Sequence, residues 1–240
     1  MRLIPHARYR FTLAAVTGAL LAATVACEGR TSGLLVTGPT GGVRVRMLNA
    51  LPSSPTLDFL VDGQVATTGV AYANASPYAS LTVGSHRLQA RSSTGTTVVD
   101  FTRDLNTQGS FSFIPAPGLS QSAALFIADD PTPVSGQAKV RVVHVAAAPG
   151  AVSVYVTAGT ADLSTATPVA PSVAFGTASS YVALAAGTYR VRVTPAGNPS
   201  TVLLDTGNIA LAAGTVRTLM LTDAPGGGLP TTLSILSDGN

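Results

Sequence analysis

Apolar and polar side chains alternate along many short segments of the chain. In residues 43–48 the apolar positions alternate with Arg44 and Arg46, and this two-residue period is typical of a strand with one buried face. Similar segments recur at close spacing, separated by turns rich in glycine and proline, and no sustained apolar period of 3.6 follows residue 42. The pattern therefore predicts an all-β protein built from antiparallel sandwiches.

Two segments of the chain are related to each other. Residues 70–95 read VAYANASPYASLTVGSHRLQARSSTG, and residues 173–197 read VAFGTASSYVALAAGTYRVRVTPAG. This duplication predicts two tandem sandwiches, over residues 43–130 and 138–237, joined by a linker at residues 131–137 that contains prolines. We expect each sandwich to be immunoglobulin-like or transthyretin-like.

The segment from Leu184 to Tyr189 resembles the corner of immunoglobulin-like sandwiches, in which a tyrosine hydroxyl bonds to the backbone. The cysteine pair and core tryptophan of antibody domains are absent, so the resemblance supports only the broader architecture. His86 occupies the position of Tyr189 in the first copy. We predict that His86 replaces the corner hydroxyl as a partner of the backbone.

The start of the chain has the pattern of an export signal. Residues 1–26 combine a basic start with an apolar run at residues 11–26, which predicts a signal helix that is too short to span a membrane comfortably. Residues 24–27, TVAC, resemble a bacterial lipobox, and this resemblance implies cleavage before Cys27 and acylation of its thiol. The alternative is plain secretion with an incidental cysteine. The composition of residues 27–42 predicts a flexible tether. From the leader and the lipobox-like segment we expect an exported protein that is lipid-anchored in the cell envelope.

The charge of the chain argues against a nucleic-acid partner. Three of its 14 basic residues lie in the leader, and the other eleven balance the 11 acidic residues. Proteins that bind nucleic acid need a clustered basic surface that neutralises phosphates, and the sequence contains no such cluster.

Four segments of the second copy resemble a bacterial family of unknown function, DUF4397: VRVVH at residues 140–144, VYV at 154–156, VAFGT at 173–177 and GTYRVRVTPAG at 187–197. The resemblance extends to the first copy and implies an exported, surface-associated protein with no assigned activity. The family's first turn usually carries an aspartate and leads into a Val-Asp strand. The first copy keeps Asp58 and Asp62, whereas Ser153 and Thr157 replace them in the second, so a site formed by these carboxylates would be lost there.

Several polar residues are candidates for chemistry. Asn49 and His144 occupy matched positions at the end of the first strand of each copy. Either they form a hydrogen-bonding group for a ligand at the rim of the sandwich or, as we favour, they bond to the backbone of the following turn. Asp58 and Asp62 are four residues apart and therefore lie on one strand face, where together with backbone carbonyls they are candidate ligands for calcium. The residue spacing of the usual calcium-binding loop is absent, which disfavours this role. Asp129 and Asp130 precede a proline and predict a solvated turn.

The arginines form a stripe. The stripe consists of Arg44, Arg46, Arg141, Arg190 and Arg192. We expect these side chains to lie on solvated outer faces, where they discourage edge-to-edge pairing of strands. The alternative is that they form a polar face that binds an acidic glycan or a protein partner. Tyr72, Tyr78 and Tyr181 are possible sugar platforms, although the matched Tyr78 and Tyr181 are more typical of core residues.

Catalytic and metal-binding patterns are weak. The chain has no Gly-x-Ser-x-Gly motif, its sole glutamate is Glu28, and it has one cysteine and three histidines, which disfavours serine hydrolase, glycosidase and zinc chemistry. We expect a non-catalytic cell-envelope module with a structural or binding role and no cofactor or metal. The alternatives are a carbohydrate- or polymer-binding surface protein and an enzyme with an unrecognised site near His144 or Asp58.

Overall fold

The computed structural model describes residues 42–119 and 124–239. These residues form seventeen strands in four sheets and no helix, which confirms the all-β fold class. Accordingly, no helix long and apolar enough for a membrane span is present in this part of the chain. The signal helix, Cys27 and the tether as far as residue 41 lie outside the described residues, and what the sequence predicts for them stays a prediction.

The amino-terminal half forms two four-stranded sheets. The inner sheet has the order β4-β1-β7-β8 and the outer sheet has the order β3-β2-β5-β6. The strands are β1 (Val43–Met47), β2 (Thr56–Val61), β3 (Gln64–Ala71), β4 (Ala79–Leu81), β5 (Gly84–Ser92), β6 (Thr97–Leu105), β7 (Gly109–Ile114) and β8 (Leu125–Asp129).

The carboxy-terminal half repeats this arrangement. Its inner sheet has the order β12-β9-β16-β17, with β13 also paired to β9, and its outer sheet has the order β11-β10-β14-β15. The strands are β9 (Gln137–His144), β10 (Val152–Thr157), β11 (Ala170–Val173), β12 (Thr177–Ala178), β13 (Val182–Ala185), β14 (Gly187–Pro195), β15 (Leu204–Leu211), β16 (Val216–Thr222) and β17 (Thr232–Ser237).

Strand pairing is antiparallel except at one place in each inner sheet. β1 pairs with β7 in parallel, and β9 pairs with β16 in parallel. Since side chains alternate with a period of two in both kinds of strand, alternation does not distinguish the two directions.

Each half encloses an apolar core between its inner and outer sheets. In the first half, Val45 and Met47 of β1 pack against Phe59 of β2, and all three are fully buried. In the second half, Val142 of β9 packs with Val154 of β10 in the equivalent core. The apolar positions of the alternating pattern therefore point towards the outer sheet of their own half.

A third apolar cluster lies between the two inner sheets. Ile114 of β7 belongs to the same buried cluster as Val143 of β9 and Met220 of β16. The second face of each inner sheet is consequently covered by the other half, and seven of the eight residues of β9 are buried. The two halves form one body with four layers of sheet.

The corner predicted from the sequence is present in both halves. The hydroxyl of Tyr189 donates to the carbonyl oxygen of Ala185 at 2.7 Å. In the first half, Nε2 of His86 lies 3.0 Å from the carbonyl oxygen of Thr82, also four residues earlier. Both bonds confirm that these side chains are partners of the backbone, as predicted.

Candidate functional site

Eight polar side chains meet between the two inner sheets, four from each half. We call them the inter-half cluster: Arg46, Tyr78, Ser112 and Asp129 from the first half, and Arg141, Tyr181, Thr218 and Asp238 from the second. Arg46, Ser112 and Asp129 lie on the face of their sheet opposite to the residues of the first-half core, because alternation places them there.

The two arginines make the same set of bonds in opposite directions. Arg46 donates from Nε to Ser112 Oγ at 3.0 Å, from Nη1 to the carbonyl oxygen of Ser237 at 2.6 Å, and from Nη2 to Asp238 Oδ1 at 2.7 Å. Arg141 donates from Nε to Thr218 Oγ1 and from Nη1 to the carbonyl oxygen of Ala128, both at 2.9 Å, and from Nη2 to Asp129. Each arginine thus bonds to a hydroxyl of its own half and to a carboxylate of the other half.

Each carboxylate of the cluster accepts hydrogen bonds from three residues: an arginine, a tyrosine and a serine or threonine. Asp129 accepts from the hydroxyl of Tyr78 at 2.6 Å and from Ser112 at 2.7 Å, and Asp238 accepts from Tyr181 and Thr218 at the same two distances. The side chains of both aspartates are 0% exposed and those of both arginines are 2% exposed. Because two positive charges face two negative ones, the buried cluster is formally neutral.

The tyrosines of the cluster stay protonated donors. The guanidinium carbon of Arg46 lies 4.9 Å from the ring centroid of Tyr78, and that of Arg141 lies 4.8 Å from the ring of Tyr181. Burial raises the pKa of both hydroxyls far above the ordinary value; the arginines oppose this shift and the carboxylates reinforce it. Burial also opposes the charge of Arg46, but the aspartates outweigh it and raise the pKa of the guanidinium.

The expectation of solvated outer faces is wrong for the two arginines of the cluster. Arg46 is 1% exposed and Arg141 is 2% exposed, because the opposite half covers the face of the inner sheet on which they lie. The expectation of a solvated turn is also wrong for Asp129, which ends β8 inside the cluster. Asp130 does lie in an exposed turn, where its carboxylate accepts from the backbone N–H of Thr132 at 3.1 Å.

The other arginines also have protein partners. Arg44 is partly buried and donates to Ser110 Oγ at 2.9 Å. Arg190 pairs with Asp205 and donates to the carbonyl oxygen of Gly159 at 3.2 Å.

Arg192 is only 9% exposed, so the expectation of a solvated face is wrong for it as well. It donates to Thr157 Oγ1 at 2.7 Å and to the carbonyl oxygen of Ala161 at 2.8 Å. Arg190 and Arg192 therefore hold the loop that follows β10 against the outer sheet of the second half.

Asn49 and His144 are both fully buried and bond to backbone groups of turns, as favoured from the sequence, and Asn49 also bonds to the carbonyl oxygen of Val70 in β3. Asn49 Nδ2 donates to two carbonyl oxygens at 3.0 Å, and its Oδ1 accepts from a backbone N–H at 3.0 Å. His144 Nε2 lies 2.6 Å from the carbonyl oxygen of Gly150. Burial lowers the pKa of His144, and the Gly150 carbonyl and Asp223 only partly offset this effect.

Asp58 and Asp62 serve local structure in the first half. Asp58 accepts from the backbone N–H of Gly69 at 3.0 Å. Asp62 lies 2.7 Å from His86 Nδ1 and accepts from the backbone N–H of Arg87 at 2.9 Å. Among the described residues, no three histidine, cysteine, aspartate or glutamate side chains come together in a way that could hold a metal ion.

A groove on the first half was missed by the sequence patterns. It has a volume of about 260 Å³ and lies where the edge strand β6 of the outer sheet meets the edge strand β8 of the inner sheet. The partly exposed rings of Phe111 and Phe126 line it and stack at 5.3 Å between centroids. The guanidinium carbon of Arg103 lies 5.4 Å from the ring centroid of Phe126.

The model of a domain of unknown function, DUF4397, matches the chain over residues 43–155 and 156–238. The chain belongs to the DUF4397 family. The two matches span nearly all the described residues, which confirms the tandem resemblance seen in the sequence. The border between the two DUF4397 matches falls inside β10, whereas the strands change from one half to the other between residues 129 and 137. No curated protein matches the chain.

Proposed function

We propose that this DUF4397 protein is a non-catalytic module of the cell envelope with a structural or binding role, exported and held at a membrane by acyl chains on Cys27. The single observation that supports a structural or binding role best is the inter-half cluster. It joins two sandwiches into one body through two buried ion pairs, Arg46–Asp238 and Arg141–Asp129. A body of this kind is suited to hold a surface at a fixed place rather than to change shape.

The bonding of the candidate residues supports a role without catalysis. A general base needs a lone pair within reach of a proton of the substrate. The side chains of Asp129 and Asp238 are fully buried and accept bonds from donors of the protein. His144 is fully buried and bonded to a turn carbonyl. Apart from His144 Nδ1, which is buried without a hydrogen-bond partner among the described residues, the polar groups of these residues are therefore used by the fold itself.

The lipid anchor is supported by the leader and by the position of Cys27. Each buried methylene of an acyl chain contributes about 0.8 kcal/mol to membrane binding, so that several chains hold a protein firmly. The sixteen residues 27–42 are rich in Gly, Thr and Ser, and a flexible segment of that length has an r.m.s. end-to-end distance of about 20–24 Å. We infer that the sandwiches lie close to the membrane surface.

The test is mass spectrometry of the mature amino terminus after expression of the full chain in a bacterium. We expect cleavage before Cys27 and the added mass of acyl chains, with the protein in the membrane fraction. The matched variant Cys27→Ser should lose the acyl mass. An unmodified terminus at another residue of the wild-type chain would show that the proposed anchor is wrong.

A further inference from the structure

We propose that the groove formed by β6, β7 and β8 in the first half is a binding site for one ring of a neutral saccharide. The site gives a place and a ligand class to the binding role proposed above, and it rests on that role. Its polar rim consists of Arg103, Asp104, Asn106 and Thr107, and its apolar floor includes Phe111 and Phe126.

The first argument comes from comparing the two halves. The parallel strand pairs place Ser112 beside Arg46 and Thr218 beside Arg141, which aligns residues 104–114 with residues 210–220 without a gap. Leu105 and its counterpart Leu211 are both buried. In contrast, the rim and the aromatic floor are replaced in the second half, where the counterparts of Asp104, Asn106, Thr107, Phe111 and Phe126 are Ala210, Ala212, Ala213, Arg217 and Ile235.

This difference shows which residues of the groove the fold itself does not require. The second half forms the same hairpin between its outer and inner sheets with three alanines at these positions. The polar side chains of the first-half rim are therefore not required for the hairpin. The residues that the fold does require, including the arginines and aspartates of the inter-half cluster, are present in both halves.

The second argument is the bonding state of the rim. Along β6, Asp100 bonds to Arg87 and Gln89. In contrast, Asp104, Asn106 and Thr107 are exposed, and their side chains make no hydrogen bond to another described residue. Together they offer a carboxylate acceptor, an amide with both donors and an acceptor, and a hydroxyl.

The chemistry of the groove selects the ligand. A sugar ring has an apolar C–H face, which is attracted to the negative face of an aromatic ring, and a rim of hydroxyls that both donate and accept hydrogen bonds. Phe111 and Phe126 also pack against the first-half core, and only part of their surface is exposed to the groove. This apolar surface and the mixed donor and acceptor rim complement those two features of a sugar. The positive charge of Arg103 and the negative charge of Asp104 balance each other, and this balance favours a neutral ligand.

The size of the groove sets how much of the ligand is bound. Its volume of about 260 Å³ is below the range of roughly 300–1,000 Å³ that is typical of pockets for drug-sized ligands. One sugar ring fits this space better than a longer segment. A polysaccharide would therefore be bound at one residue, and the affinity for a short oligosaccharide would be low.

The experiment uses fluorine NMR of the Cys27→Ser chain without its leader, labelled with fluorophenylalanine. Beyond the leader the chain contains six phenylalanines: Phe111 and Phe126 line the groove, and Phe175 in the second half is an internal control. The probes are the neutral trisaccharides of glucose in β-1,4 and α-1,4 linkage, of xylose and of N-acetylglucosamine, each titrated to millimolar concentrations. We expect at least one of them to shift the Phe111 and Phe126 signals in a saturable way and to leave the Phe175 signal unchanged.

The control variants follow from the comparison of the two halves. Asp104→Ala/Asn106→Ala/Thr107→Ala gives the first half the residues of the second, so it should fold normally and bind the saccharide at least tenfold more weakly. The reverse substitutions, Ala210→Asp/Ala212→Asn/Ala213→Thr, should leave the affinity unchanged.

Three results would overturn the proposal: no groove-specific shift with any neutral probe, equal binding by the alanine variant, or stronger binding of trigalacturonic acid or a Gly-Trp-Gly peptide than of every neutral probe. None of these results bears on the acylation of Cys27. Loss of the saccharide site can therefore be told apart from failure of the envelope anchor.

Discussion

Replacing Asp129 by asparagine tests the inter-half cluster most directly, because the neighbouring residue supplies a matched control. The side chain of Asp129 is 0% exposed, whereas that of Asp130 is 61% exposed and pairs with Lys139 at 2.8 Å. Both substitutions remove one negative charge at nearly the same place in the sequence. We predict that Asp129→Asn strongly destabilises the protein and that Asp130→Asn has a much smaller effect.

The magnitude follows from the contacts of Asp129. Its carboxylate accepts from Tyr78, Ser112 and Arg141 in a region without water access. Asparagine keeps one acceptor oxygen, but it turns a donor group towards other donors and leaves the buried cluster with a net positive charge. Removing one partner of a buried ion pair costs about 3–5 kcal/mol. In the pair of Asp130 with Lys139 only the carboxylate is exposed, since the lysine side chain is 7% exposed. Because the carboxylate is solvated, we expect its loss to cost about 1 kcal/mol, well below the cost for the buried pair.

The assay is urea unfolding of the Cys27→Ser chain at neutral pH, followed by circular dichroism. If unfolding is two-state with a slope of about 3 kcal/mol per molar urea, Asp129→Asn should lower the midpoint by about 1–2 M. Adding Arg141→Met removes the unpaired charge, so the double variant should be more stable than the sum of the two single effects by about 0.5–3 kcal/mol. Equal shifts for Asp129→Asn and Asp130→Asn would refute the assignment of a buried ionic contact between the halves.

Two further predictions concern residues at matched positions in the two halves. Because burial lowers the pKa of His144, the unfolded chain takes up the proton at a higher pH than the folded protein, and stability should be lost as the pH falls below about 6.5. His144→Asn introduces the residue found at position 49 of the first half, and urea midpoints between about pH 7.5 and pH 5 should then vary less than in the wild type; an unchanged pH profile would contradict this role. Tyr189→Phe removes the 2.7 Å bond to the Ala185 carbonyl and should cost about 0.5–1.5 kcal/mol in the same assay, whereas an unaltered midpoint would mean that the corner bond contributes nothing.

Local patterns in the sequence were sufficient for the strands and the duplication. The alternation around Arg44 and Arg46 places β1 correctly, and the repeated segments correspond to equivalent strands of the two halves. The corner bonds of His86 and Tyr189 also followed from the sequence. These features depend on residues close together in the chain, and that is why a pattern could identify them.

The contact between the two halves could not be predicted from local patterns in the sequence. A period of two shows that a strand has two different faces, but it does not show what covers the polar face. An arginine is rarely buried without a partner, and the partner of Arg46 is Asp238, 192 positions away. The available signal was that arginine, tyrosine and aspartate recur at matched positions in both copies, and it becomes informative once the inner sheets are known to face each other.

The symmetry of the inter-half cluster explains why the two halves form one unit. In a contact with two-fold symmetry, each surface contributes the same residues and meets its own copy; here Arg46 reaches Asp238 while Arg141 reaches Asp129. Either half alone would expose an arginine and an aspartate that need a partner, next to the apolar side chains of the third cluster. The contact therefore requires the cluster residues in both copies. Residues outside it, such as Asp104 in one half and Ala210 in the other, are free to diverge, and the polar rim of the first-half groove consists of such residues.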